Sequence, residues 1–376
     1  MERRRFYFLE PSKVGSQHIT LIEGYLTALI SSVSIVRNFE LNLCASKATL
    51  FALPDNLISK FRCRTVPVMN PEKRRLILKS FLELFVVLRY TIKLQPGDIL
   101  FISCLLPTTL WLLEITNKLL RKSGLYVVLH GEVEGVIEKS HQPILRIGFW
   151  AAKWMNSRNA GSRISLVVLD DFICDRLIHE HADKLSYSNV SVIHHPVSPI
   201  SLSTTEEQQN FTACFIGYRT RFKGFNDFSQ MASSHPSISF LAIGGGKVEN
   251  ITTGMVKSLS DKNAYLREIS KCSVALFPYT SGYICSLSAA ALDALSTGVP
   301  IVAMDRPFFQ SLNSYFGTDT VTVCSSMDEF SAVLKNRTKS LKQVDRASRL
   351  ERLSNSKYGL ASTQRAFEKL AFNTFS

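Results

Sequence analysis

The chain has no Cys-x-x-Cys pair, no apolar run long enough to cross a bilayer, no low-complexity tract, and neither a P-loop nor a Gly-x-Gly-x-x-Gly fingerprint. Its eight cysteines (Cys44, Cys63, Cys104, Cys174, Cys214, Cys272, Cys285 and Cys324) stand singly, mostly among apolar neighbours. That pattern excludes a disulfide framework and points to reduced, buried thiols in a cytoplasmic protein. The most apolar windows, 80–88 and 99–113, are broken by charge or proline well short of the ~20 residues of a spanning helix. The opening MERRRFYFLEPS has a basic cluster but too few apolar residues before Glu10 for a secretory core, and it reads as a first strand. Without Ser, Gln, Gly or Pro tracts, and with 45% hydrophobic and 20% charged residues, the composition is that of a globular protein.

What the sequence does have is length and positive charge. Its 376 residues suit two domains of ordinary size. A formal charge of +13 calls for nucleic acid, an anionic membrane face or phosphorylated substrates. The basic residues are spread along the chain with no aromatic-interleaved stripe, which argues against nucleic acid. One concentration stands out at 71–94, PEKRRLILKSFLELFVVLRYTIKL, where Lys73, Arg74, Arg75 and Lys79 lead into an apolar helix. Two readings stay open: a half-buried helix with a solvated basic end, or an interfacial helix touching anionic lipid.

Short apolar runs alternate with helix-length segments from end to end, the pattern of βα units and parallel sheets. Strands are expected at 5–9, 41–45, 65–69, 98–103, 125–130, 165–170 and 190–194, with helices at 20–32, 71–94 and 108–121. HPVSPISLSTTEEQQN, 195–210, is a linker by composition. After it come FTACFIG, SISFLAIG, SVALFPY, VPIVAM and TVTVC as strands, with helices at 286–296 and 327–335 among those between them. The expected division is an N-terminal domain at 1–195, a linker at 196–210, a second domain at 211–355 and a C-terminal helix at 356–376 packing back on the first. The fold class is α/β: two doubly wound, Rossmann-like domains facing a cleft. Ligands of such sheets collect at the carboxyl ends of the strands.

There FIGYRTRFKGF places Gly217, Arg219, Arg221 and Lys223 after a strand, and Gly224 opens the next helix. Arg forks onto phosphate oxygens and Lys adds a point charge, so this turn suits a diphosphate; a plain solvated basic loop is the competing reading. FLAIGGGK ends a strand in glycines, among them Gly244, where backbone turns tightly or approaches a ligand. PYTSGYICSLSAAALDALSTGVPIVA then gives a loop with Tyr283 and a helix expected from Ser286, whose small first turn, including Ser288, favours an anion. About two turns on, the Asp293 carboxylate suits a pair of ribose hydroxyls.

These residues resemble the donor domain of retaining GT-B glycosyltransferases of the family 4 type, over roughly 191–325. The match lies in FIGYRTRFKG and LDALSTGVPIVA, in order and spacing. The family pattern has two glutamates with seven residues between them; here Asp293 stands at the second position and Cys285 at the first, so the variant lacks the first glutamate. The contact to the donor sugar then falls to Tyr283, Ser286, Ser288 or backbone.

The first half is similar only in architecture. The resemblance implies that PSKVGSQHIT, with Gly15 and Ser16, lies under the donor phosphates, and that a histidine in YVVLHGEVEG, His130, lines the active site. His18 and Glu132 are the acceptor-side candidates. For both histidines a structural role in the loop stays open. His179, His181, His194 and His195 lack metal-ligand spacing and read as surface or linker histidines.

The resemblance thus implies a metal-independent hexosyltransferase that takes a UDP- or GDP-linked sugar as co-substrate and needs no cofactor. The expected acceptor is a glycan or lipid-linked molecule of cell-surface polysaccharide or glycoconjugate synthesis, handled in the cytoplasm at the inner membrane face. A nucleotide-sugar epimerase or hydrolase and a non-catalytic sugar-nucleotide-binding protein are the alternatives.

Overall fold

The structure, a computed structural model, describes residues 3–15, 18–69, 76–130, 132–137, 146–159, 161–200, 211–245, 255–257, 262–339 and 346–373. The chain divides into two compact units, Met1–Pro196 with Leu360–Ser376, and Val197–Gly359. Residues 201–210, most of the expected linker, lie outside the described residues.

Among the described residues the first unit has seven strands: β1 (Arg4–Leu9), β2 (Phe39–Ala45), β3 (Arg62–Thr65), β4 (Ile99–Ile102), β5 (Leu125–Val128), β6 (Ile164–Val168) and β7 (Val190–Val192). All pairings are parallel, in the order β3-β2-β1-β4-β5-β6-β7. β4 (ILFI) and β5 (LYVV) are buried at every position, as a parallel sheet covered on both faces requires. β3 (RCRT) is exposed throughout and forms the edge; it lies N-terminal to the expected 65–69 because the apolar residues Val66 and Val68 follow the strand. The helix Leu360–Asn373 returns to this unit, where Phe367 packs edge-on against Phe101 at 5.1 Å and Tyr25 at 5.4 Å.

The second unit carries β8 (Thr212–Ile216), β9 (Ser239–Ile243), β10 (Met255–Lys257), β11 (Val274–Phe277), β12 (Ile301–Met304) and β13 (Val321–Cys324). Again all pairings are parallel, in the order β10-β9-β8-β11-β12-β13. Its core includes Phe215, Phe228 and Phe240, with Phe215 and Phe228 centroids 5.5 Å apart. Each such buried ring contributes about 1.5–3 kcal/mol relative to an exposed one.

Both sheets therefore reverse strand order once, between β1 and β4 and between β8 and β11, and the crevice at such a switch point is where open α/β sheets bind ligands. All eight cysteines are free thiols and seven are buried; Cys63 is exposed, because it belongs to the edge strand.

Candidate functional site

In the second unit the two loops beside the switch point meet. After β8, Gly217 has φ +111°, a backbone that side chains rarely adopt. A Cβ there would lie 3.1 Å from the Lys223 Nζ and 3.7 Å from the Ala290 Cβ, so the missing side chain lets the ammonium and the helix Ala289–Ser296 close on the backbone. Gly244, at the end of β9, has φ +129° and would drive a Cβ to 2.5 Å from the Gly217 carbonyl oxygen.

Arg221–Lys223 form a single 3₁₀ turn, opened by Thr220, whose hydroxyl accepts from the Lys223 N–H at 3.4 Å. Gly224 closes the turn and begins the helix Phe225–Ser234. The backbone N–H of Thr280, in the loop after β11, donates to the Phe222 carbonyl at 3.2 Å, tying the two loops together.

Lys223 is half-buried and its ammonium lies 5.8 Å from the Tyr279 ring centroid. Burial pushes its pKa below the usual lysine value, and no described carboxylate pairs with it. An ammonium so placed gains from an incoming anion. Arg219, in the same loop, is half-buried, while Arg221 is exposed.

The helix expected from Ser286 begins instead at Ala289 and runs to Ser296. Ser288 is its N-cap, accepting from the Ala291 N–H at 3.4 Å, and it also bonds the Tyr279 hydroxyl at 2.9 Å. At 2% exposure the Ser288 side chain is held by these two bonds and caps the helix. Ser286 lies in the preceding loop. Tyr283 takes a left-handed backbone (φ 60°) and stacks on Tyr279 with centroids 4.5 Å apart. Arg306 holds this loop by donating to the Tyr279 carbonyl at 3.1 Å and to the Thr280 carbonyl.

Asp293 is half-buried in the helix, and its Oδ2 accepts from the Tyr265 hydroxyl at 3.1 Å. Burial raises its pKa to about 6, opposed by the Tyr265 hydrogen bond and by Lys262. Tyr265, Tyr279 and Arg306 were not visible as site residues in the sequence; their signal is tertiary, since Tyr265 arrives on the separate helix Lys262–Ser270.

In the first unit the loop after β1 starts with Glu10, fully buried, whose carboxylate accepts from the Ser12 and Lys13 N–H groups at 2.9 Å and from the Ser103 hydroxyl at 2.7 Å. Desolvation raises the Glu10 pKa against these bonds. Ser103 follows β4, so Glu10 clamps both sides of the switch point. Lys79, expected on a solvated basic end, is instead buried, and its ammonium donates to the Ser12 carbonyl at 2.7 Å because that loop offers it an acceptor.

His130, after β5, donates its Nε2–H to the Ser103 carbonyl at 2.8 Å. The His18 ring stacks on it at 4.6 Å, from a left-handed backbone (φ 60°) at the start of the helix Ile19–Ser31. Burial, then the neighbouring His130 charge, pushes the His18 pKa down to about 2. Gly15 (φ +65°) lies in the same loop. Ser16 lies outside the described residues; Glu132 begins the helix Glu132–Ile137, its side chain outside them too.

Among the described residues, two groups of side chains are close enough to share an ion, within 4.8 Å: His18, Cys104 and His130, and Asp170, Asp171 and His194. The second is engaged in the fold, with Asp170 capping the helix Asp171–Glu180 and His194 paired with Asp171 at 3.0 Å. His195, expected at the surface or in the linker, is buried, with its Nδ1 3.2 Å from the Pro196 carbonyl oxygen.

No family profile and no curated protein sequence matches the chain. Solved structures do. Sucrose-phosphate synthase from Thermosynechococcus elongatus is 12% identical with a TM-score of 0.70, covering 99% of both chains. HepE from Anabaena, in complex with UDP, is 12% identical with a TM-score of 0.66, covering 98% of this chain and 100% of its own. WaaG, a glycosyltransferase involved in lipopolysaccharide biosynthesis, is 12% identical with a TM-score of 0.63, covering 98% of this chain and 99% of its own.

The chain has the GT-B fold. In GT-B terms the described sheets are the two parallel-sheet α/β domains expected from the sequence, and the basic turn, the glycines and Asp293 belong to the second.

Proposed function

We propose that the chain is a glycosyltransferase moving a hexosyl group, with retention, from a UDP- or GDP-linked sugar to a glycan or lipid-linked acceptor of cell-surface glycoconjugate synthesis. It works in the cytoplasm, in contact with an anionic membrane face. The observation that carries the reading is the Lys223 ammonium, half-buried against Gly217 and the start of the Ala289–Ser296 helix, with Asp293 further along that helix. Cation and helix dipole together favour a diphosphate there, and the carboxylate suits a ribose. The GT-B fold and the UDP and UDP-glucose complexes of HepE support the same ligand class.

The costly event is departure of the diphosphate, because charge builds on its leaving oxygen. Arg219, Arg221 and Lys223 stabilise that charge without a metal ion. Tyr279 and Arg306 keep the loop after β11 in place beside them. The sequence offers no evident protein nucleophile, and Cys285 stands at the first position of the paired-glutamate pattern, near the transferred sugar. Transfer then follows a same-face displacement in which the leaving phosphate takes the acceptor proton. In the first unit, Gly15 and Ser16 serve the donor phosphates, His130 the transferred sugar, and His18 and Glu132 the acceptor.

A donor screen with and without lipid-linked acceptors tests this. Sugar transfer that requires acceptor, with slow hydrolysis in its absence, is the expected result. Equal turnover without acceptor points to an epimerase or hydrolase, and binding without turnover to a sugar-nucleotide-binding protein.

A further inference from the structure

The helix Leu76–Thr91 is apolar on its outer face as well as on its inner one, where Val86, Val87 and Tyr90 are buried. Lys79, Ser80, Glu83 and Thr91 face inward at 2% exposure or less, while Ile77, Leu78, Phe81, Phe85 and the following Ile92 are each 55–64% exposed. Positions 77, 81, 85 and 92 recur at helical spacing and make one apolar stripe. A surface helix of a soluble protein turns polar residues outward, so this second, exposed apolar stripe calls for an apolar partner.

The inward polar residues explain why the helix cannot simply rotate. Lys79 donates to the Ser12 carbonyl at 2.7 Å, and Glu83 accepts from the Leu106 N–H at 3.0 Å and the Thr109 hydroxyl at 2.7 Å. Turning the stripe inward would break all three bonds and bury their partners unpaired.

The neighbouring helices extend the surface. Ser80 bonds Thr108 at 2.6 Å, on the helix Pro107–Leu120, and Trp111 of that helix meets Trp150 of Arg146–Ser157 at 5.3 Å. Phe149 beside it is 62% exposed, and the exposed Lys153 holds its ammonium 4.2 Å from the Trp111 centroid and 4.8 Å from that of Trp150. Tryptophan with lysine at the rim of an apolar surface is the composition of a bilayer interface.

We infer that the outward faces of these three helices form a membrane-docking surface that seats the first unit on an anionic bilayer. The inference rests on the proposed membrane contact and is independent of sugar transfer. A net charge of +13 favours an anionic bilayer and opposes a second copy of the same chain. A helix that leads back between parallel strands has its first turn at their carboxyl edge. Phe81, Trp111 and Phe149 thus lie toward the edge that carries Gly15, His18 and His130, and Lys79 ties the docking helix directly to that loop.

Co-sedimentation of the full chain with phosphatidylglycerol–phosphatidylcholine vesicles tests the surface. Binding is expected at low salt, weaker at physiological salt where charges are screened beyond ~8 Å, and reduced by about tenfold or more in Phe81→Asp/Phe85→Asp with its melting temperature unchanged. In the unaltered protein, brominated lipid should quench tryptophan fluorescence, since only Trp154 of the three tryptophans is buried at 1%. Absence of vesicle binding and quenching in the unaltered protein overturns the inference. So does equal binding by the double variant, or a dimer in solution that the same double substitution dissolves.

Discussion

Tyr265 donates its hydroxyl hydrogen to Oδ2 of Asp293 at 3.1 Å, across two helices that leave and re-enter the same sheet. The bond holds the carboxylate in one orientation, and burial raises its pKa from 3.8 to about 6. A carboxylate that accepts ribose hydroxyls must be ionised, so the proposed donor site is pH-sensitive within an accessible range.

UDP-glucose and GDP-mannose are suitable probes, because their phosphates do not titrate near neutrality. Affinity for whichever binds should fall as pH drops through about 6. Asp293→Asn should lower affinity at pH 7.5 by about 1–3 kcal/mol and remove the pH dependence. Its melting temperature without ligand should not fall at neutral pH: the raised pKa favours the fold only at low pH, and that contribution is lost as pH rises through about 6. Calorimetric titration at several pH values checks each part, and a flat profile for both proteins removes Asp293 from the donor site.

Ser288 belongs to stability. Ser288→Ala deletes an N-cap and leaves the Tyr279 hydroxyl without that partner, so the ligand-free protein should lose about 1 kcal/mol, with recovery in Ser288→Thr. Chemical unfolding without nucleotide measures it; an unchanged midpoint would refute the cap.

His18 gives the opposite pH signature from Asp293. Its folded pKa of about 2 lies below the ordinary 6.5, so the unfolded chain binds more protons between those values and stability falls as pH drops. Screening at this partly exposed site reduces the effect to about 1 kcal/mol by pH 5. Urea unfolding at pH 7 and pH 5 should show a larger loss in the unaltered protein than in His18→Gln, and equal losses would contradict the assignment.

With cations built into the site, EDTA should leave sugar transfer intact. Loss of activity on chelation, restored by a divalent metal, would contradict this account and direct attention to His18, Cys104 and His130.

The sheets were legible because their central strands are continuous apolar runs such as ILFI and LYVV, and the basic turn because Gly217 to Gly224 has one local reason to exist. Other features depend on distant residues. Ser286 and Ser288 are both good caps, and the partnership with Tyr279 fixes the helix start at the second. Lys79 reads as solvent-facing until the Ser12 carbonyl is placed beside it. Tyr265 becomes a site residue only when its helix packs beside Asp293.

The central claim is that Lys223 binds a donor diphosphate, and titration of UDP and GDP into the unaltered protein and Lys223→Ala tests it most directly. One nucleotide should bind, and the variant should weaken it by about 1.5–3 kcal/mol, the range for a hydrogen bond to a charged group. Equal affinity in the two proteins, or binding of neither nucleotide to the unaltered one, would contradict the account.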